Sequence, residues 1–180
     1  MFRPSRETVG YVATIAGGLA VAVILGWTQL GSQIDNYAAD FFLRLRPPRA
    51  GPFEAALLSI DDRTLQRSGG RRRLRENLAV ALGPVCAAGP KAIAVDLILA
   101  DEGDGEQDQL LEAAFRQCPN LVLAADLTRA GWQDPIPRFR SAAKAVGHVH
   151  ADPDFDGVSR HLPLQKASGR DRRWALALEA

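Results

Sequence analysis

The sequence predicts an α/β fold in which an N-terminal transmembrane helix precedes a three-layer-like α/β domain with a mostly parallel sheet and a C-terminal β-hairpin. Three observations lead there. An uncharged run of 27 residues, Thr8 to Ile34, lies between Glu7 and Asp35. Short apolar runs then alternate with helical patterns. Finally, an Asp156-Gly157 pair sits between two extended-looking segments near the end of the chain. At 180 residues and 47% hydrophobic content the chain has material for one good core. Its 22 basic and 21 acidic side chains nearly cancel, which removes the global positive field that nucleic-acid binding needs.

The apolar run exceeds the ~20 residues that cross a bilayer as a helix. Gly17, Gly18 and Ala20 allow close helix approach, and Trp27 suits an interface. Arg3 and Arg6 before the run also fit a signal peptide, but the apolar core is long for one and no clean small-x-small cleavage site precedes Asp35. An uncleaved single span is therefore expected, with residues 1–34 forming tail and anchor. The arginine count, Arg44, Arg46 and Arg49 against Arg3 and Arg6, leaves orientation open.

Residues 35–50 read as a membrane-proximal stalk helix: Tyr37, Ala38, Phe41, Phe42 and Leu45 recur at helical spacing, and Pro47 and Pro48 end it. Residues 51–180 read as the soluble domain. "EAALLSIDD", "KAIAVDLILA" and "NLVLAADL" are expected as three buried strands, parallel by their continuous apolar character. Between them, Leu74, Leu78, Val80, Ala81, Leu82 and Val85 make one helical face, stopped by Gly89 and Pro90. Leu110, Leu111, Ala114 and Phe115 make a second, ended by Pro119. A short helix near Arg138 to Lys144 follows, then strands near Val146 to His150 and Ser159 to Gln165. A last helix, "DRRWALALEA", has barely begun at Ala180, so the domain is expected to be incomplete at its C-terminus.

Chemistry-bearing residues are sparse. Asp152, Asp154 and Asp156 before Gly157 resemble the opening of a calcium loop, but the twelfth position is Pro163, where a closing glutamate is needed. A loop held by Asx-type bonds is favoured over a metal site. His148 and His150 on one strand, with His161 across the hairpin, allow a transition-metal site, although a hairpin surface explains the same spacing. Asp61, Asp62 and Asp96 stand at or within strands, where open parallel sheets bind ligands, and helix capping is the competing account. Six arginines between Arg63 and Arg75 offer an anion or lipid contact, or a solvated face. Cys86 and Cys118 are read as packed thiols in preference to a bridge, because spacing says nothing about Cα separation. No glycine-rich phosphate loop, Gly-x-Ser-x-Gly elbow or zinc signature appears.

In order, "DNYAADFFLRLRPPR", "LLSIDDRTL", "RENLAVALGPVCAAGPKAIAVDLIL", "DQLLEAAF", "NLVLAADL", "AVGHVHADPDFDGVSRHLPL" and "WALALEA" resemble the CHASE type 2 sensor domain. This is a bacterial extracytoplasmic input module of histidine kinases, adenylate and diguanylate cyclases and serine/threonine kinases. The resemblance covers Asp35 to Ala180; "GGRRRLR" stands where the family often has a Trp-Pro-Trp-like segment. It implies a non-catalytic sensory domain outside the bacterial cytoplasmic membrane, with no cofactor, an unidentified small-molecule or envelope signal, a separate output module and, commonly for anchored sensors, a homodimer. It also implies a structural turn at Asp156 and Gly157, with Arg160 paired to a nearby carboxylate. Asp61, Asp62, Arg75 and Asp96 remain the ligand-binding candidates. Two other readings stay open: a metal-dependent hydrolase or phosphotransferase using Asp61, Asp62 and Asp96, and a structural envelope module whose basic patch, Arg71 to Arg73, touches lipid or a partner.

Overall fold

The computed structural model describes residues 5–47 and 55–180, and the chain divides into two compact units after Leu57. In the first unit, Ser5 caps α1 (Arg6–Gly26) by accepting from the Thr8 amide at 3.2 Å. With 21 residues, α1 is about 31 Å long, matching the hydrocarbon thickness of a bilayer, and none of its residues is buried. The apolar run does not continue straight to Ile34. It turns at Trp27 and Thr28, and Thr28 caps α2 (Gln29–Leu45) through the Gly31 amide while its hydroxyl donates to the Leu25 carbonyl at 2.6 Å. Gly31 is buried in this corner, where a Cβ would overlap the Leu25 carbonyl. The run expected as one anchor helix to Ile34 is thus divided between two helices, the second beginning before the stalk helix expected from residue 35, because an uncharged corner leaves no mark in a hydropathy pattern.

In the second unit, α3 (Asp62–Arg67) and a 3₁₀ turn at Arg71–Arg73 lead into α4 (Leu74–Ala87). Then come β1 (Ile93–Ile98), α5 (Gly105–Arg116), β2 (Leu121–Thr128), β3 (Gly131–Gln133), α6 (Pro137–Ala142) and β4 (Ala145–His148). The end is made of β5 (Gln165–Ser168), β6 (Asp171–Trp174) and α7 (Leu176–Glu179). Central β2 is parallel to β1 through Ile93–Leu121 and Val95–Leu123, and parallel to β4 through Val122–Ala145 and Ala125–His148. Beyond these, β3 folds back antiparallel on the end of β2.

Strand alternation sends Leu121 and Leu123 to one face and Val122 and Ala124 to the other. The first face carries the main core, where Leu78 and Leu82 of α4, Leu111 and Phe115 of α5 and Phe139 of α6 close over Val95 and Leu99. Phe115 and Phe139 meet edge to face at 5.4 Å. On the second face Leu176 of α7 covers Val122 and Ala124. Gly147 permits this approach, since a Cβ there would stand 2.5 Å from the Leu176 Cα and 2.8 Å from its nitrogen. The result is the mixed α/β architecture with an N-terminal apolar helix that the sequence predicts.

Several elements differ in place. The expected first strand is no strand: residues 55–61 have no ladder, and Leu57 is 92% exposed. An apolar run becomes a strand only when a neighbour takes its backbone groups, and β1 is paired with β2 alone among the described residues. Nor does a hairpin span residues 146–165. Residues 149–164 carry no strand, and the antiparallel hairpin is β5–β6, with Gly169 at φ 61° in a two-residue loop where positive φ is required. The expected last helix is consequently split, its first four residues forming β6 and its remainder α7. Val80 and Ala81, read as part of the apolar face of α4, point to solvent. The two cysteines are bridged: Cys86 on α4 and Cys118 after α5 have Cα atoms 5.4 Å apart and form a disulfide. Packing of α4 against α5 supplies the proximity that sequence spacing could not show.

Candidate functional site

The carboxyl ends of β2 and β4 bring Asp126, His150 and Asp152 together. Asp126 leaves β2 and accepts from the Leu127 amide at 2.8 Å. Its Oδ1 also lies 3.1 Å from His150 Nδ1. On the other side of that ring, His150 Nε2 is 3.2 Å from Asp152 Oδ1, and Asp152 is ion-paired with Lys166 of β5. Lys166 holds the Asp152 carboxyl below its ordinary value, by hydrogen bonding first. This chain of contacts ties the loop after β4 to the C-terminal hairpin.

A second network runs beside it. Arg173 of β6 packs its guanidinium 5.4 Å from the centre of the Trp132 ring and bonds Asp134 at 2.9 Å. Arg140 of α6 reaches the same carboxylate at 3.1 Å. Arg140 and Arg173 border a groove of about 320 Å³ together with Lys144, Ala145 and Val146. Two guanidiniums share one carboxylate and Lys144 adds a third cation, so the groove wall is suited to an anionic group.

Between the two networks lies His148, the last residue of β4. It is 1% exposed, its ring is 6.3 Å from that of Trp132, and neither ring nitrogen has a hydrogen-bond partner among the described residues. Burial, then the charges of His150 and Lys166, push its pKa down.

Of the residues singled out in the sequence, His148, His150 and Asp152 lie at this site, and the others fall elsewhere or into local bonds. Asp61 caps α3, accepting from the Thr64 amide at 2.7 Å and from its hydroxyl at 2.6 Å, and the Thr64 hydroxyl bond leads the lowering of its pKa. Asp62 stands in the first turn of α3 and is exposed, as is Asp96 on β1. Asp154 and Asp156 both receive Arg160, at 3.0 and 2.9 Å, and Arg160 leads the lowering of the Asp156 pKa. The turn closes through the Gly157 amide on the Asp154 carbonyl at 2.8 Å, with Gly157 at φ 79°. His161 lies 3.6 Å from Asp154, away from His148 and His150 in bonding. Among the described residues no three His, Cys, Asp or Glu side chains are grouped to hold a metal.

A family model described as the CHASE2 domain matches residues 17–180. The chain belongs to the CHASE2 domain family. That family is one of sensory extracellular domains. No curated protein and no solved structure matches the chain.

In this CHASE2 domain Arg75, a ligand-binding candidate by sequence, is engaged within the protein. Its guanidinium is ion-paired with Asp108 of α5, donates to the Asp101 carbonyl, and packs 5.6 Å from the centre of the Phe139 ring. Asp108 is completed by the Gly103 amide at 3.0 Å. Trp132, Asp134 and Arg173 went unnoticed in the sequence. They lie on short elements with no periodic pattern, and only the fold of β3 and β6 onto the sheet unites them.

Proposed function

We propose that this CHASE2 domain is the extracytoplasmic signal-input module of a bacterial membrane receptor, anchored by α1 and not itself catalytic. The observation that carries the reading is α1 itself. A 21-residue apolar helix with no buried residue opens the described chain, and no protein core covers it in its own unit. The Cys86–Cys118 disulfide supports placement of the soluble domain in an oxidising compartment outside the cytoplasm. Asp61 acting as a helix cap and Arg75 as an internal tie support a binding role over a catalytic one. The signal reaches the output module as a change of conformation, and the groove bordered by Arg140, Lys144 and Arg173 is the surface suited to an anionic signal.

Topology is the first test. Lys91 and Lys144 are exposed. A membrane-impermeant amine reagent added to intact spheroplasts is expected to label them; labelling only after lysis would place the domain inside and overturn the reading. Sensing is tested on the full chain in detergent micelles by a melting-temperature screen of anions and small molecules, because a ligand binding only the folded state raises the midpoint by mass action.

A further inference from the structure

The structure assigns His148 as a proton-binding site: protonation of this buried imidazole releases the C-terminal hairpin from the sheet, making acidification a signal that the domain detects. The inference rests on the sensory reading above and names one ligand for it.

The geometry is specific to this position. His148 ends β4, where its backbone is paired with Ala125 of β2 on one side and bridged to Ala175 on the other. It therefore occupies the seam at which β6 and α7 join the sheet. A buried polar group without a partner is costly, and a buried charge without one costs more. A neutral imidazole is tolerated in the seam, whereas an imidazolium has two N–H donors and, among the described residues, only the Pro163 carbonyl nearby to receive them.

Its charged surroundings come from every element packed around it. Lys166 of β5 and His150 of the loop after β4 oppose a positive charge, while the Asp126 carboxylate of β2 and the Pro163 carbonyl favour it. Asp126 is already bonded to His150, and Asp152 to His150 and Lys166, so both nearby carboxylates are engaged. Arg173 of β6 covers Trp132, the ring that His148 faces. No carboxylate is left to accept the imidazolium without breaking these pairs.

The sign follows from linkage. With a folded value held below the ordinary 6.5, the docked state binds fewer protons than an opened state does. Docking is fully favoured above about pH 6.5. It weakens as pH falls from there and is weakened to the full extent once pH passes below the lowered value. Asp152 and Asp156 titrate below the ordinary carboxylate value of 3.8, so they do not share the upper part of this window. Release of β6 would expose the tryptic site Arg173 and the Ala175 amide, which donates to the Leu164 carbonyl at 2.9 Å when docked.

Hydrogen exchange on the purified full chain in detergent micelles tests this, with the amides of β2 as internal reference at pH 7.5 and 5.5. Residues 165–176 are expected to exchange more readily relative to β2 at the lower pH, by up to about tenfold. His148→Phe is expected to abolish the difference, and His150→Gln and His161→Gln to retain it. A response unchanged in His148→Phe, or absent in the wild type, overturns the proposal. Should His148→Phe fail to fold, imidazole NMR of the wild type decides: the His148 signal must titrate together with the opening, and titration with the hairpin amides unmoved refutes it. The two readings fail separately. Labelling from inside would remove the sensory function while leaving the opening measurable, and a silent hairpin would remove the proton site while leaving the topology intact.

Discussion

Arg75 shows how one side chain fastens three segments. From the first turn of α4 it meets Asp108 on α5, the Asp101 carbonyl before α5, and the Phe139 ring on α6. Its side chain is 15% exposed and that of Asp108 4%, so loss of either partner strands a charge away from water. Arg75→Ala is expected to lower unfolding free energy by about 3–5 kcal/mol. Urea titration of the full chain checks it, and Arg75→Met with Asp108→Leu is expected to recover most of the loss. The sequence marked Arg75 as a position of interest but not its role, because the partner lies 33 residues away and is fixed only by helix packing. By contrast Asp154, Asp156, Gly157 and Arg160 bond within a few residues of one another, and their turn is written in local spacing. His148 is the opposite case. Its chemistry arises from what fails to reach it, and a sequence cannot state that the loop after β4 and β5 will close over the ring without bonding it.

At the scale of elements, α4, α5 and α6 are legible because a helix buries a stripe at i, i+3 and i+4, as Leu78 with Leu82 and Leu111 with Phe115 show. Strands are less so, since their existence depends on a neighbour. Residues 55–60 have the composition of a strand and no ladder, whereas "QKAS" and "DRRW" lack apolar character and pair because Gly169 turns one onto the other. The disulfide is likewise an element-level fact. It pins α4 to the segment following α5, closing a loop with a sequence separation of 32, and Cys118 is 2% exposed. Chain entropy for such a loop corresponds to about 3–4 kcal/mol. Cys86→Ser combined with Cys118→Ser is expected to lower the unfolding free energy by that amount, read as a lower urea midpoint with a steeper slope, because the unfolded chain without the cross-link exposes more surface. Reductant should move the wild type to the same midpoint and leave the double variant where it is.

For the whole molecule, the fold class was legible because alternating apolar runs and helical stripes constrain architecture even when individual strands are misplaced. The N-terminal apolar helix was legible from the absence of charge alone, while its end at Gly26 was not. The proposed anchoring by α1 is therefore a question of insertion energy. Its residues Thr14 to Gly18 sit near the centre of the span, where an arginine raises the insertion free energy by about 2.5–3.5 kcal/mol. Ala16→Arg is expected to shift the full chain from the alkali-resistant membrane pellet toward the soluble fraction. The soluble unit contains the core residues from Leu78 to Leu176 and none from α1, so its hydrogen-exchange protection along β2 should survive the change. Retention of the Ala16→Arg variant in the pellet would mean that α1 is not what holds this CHASE2 domain at the membrane. Loss from the pellet together with loss of β2 protection would mean instead that the two units do not fold independently, and that insertion and sensing are coupled through stability as well as through position.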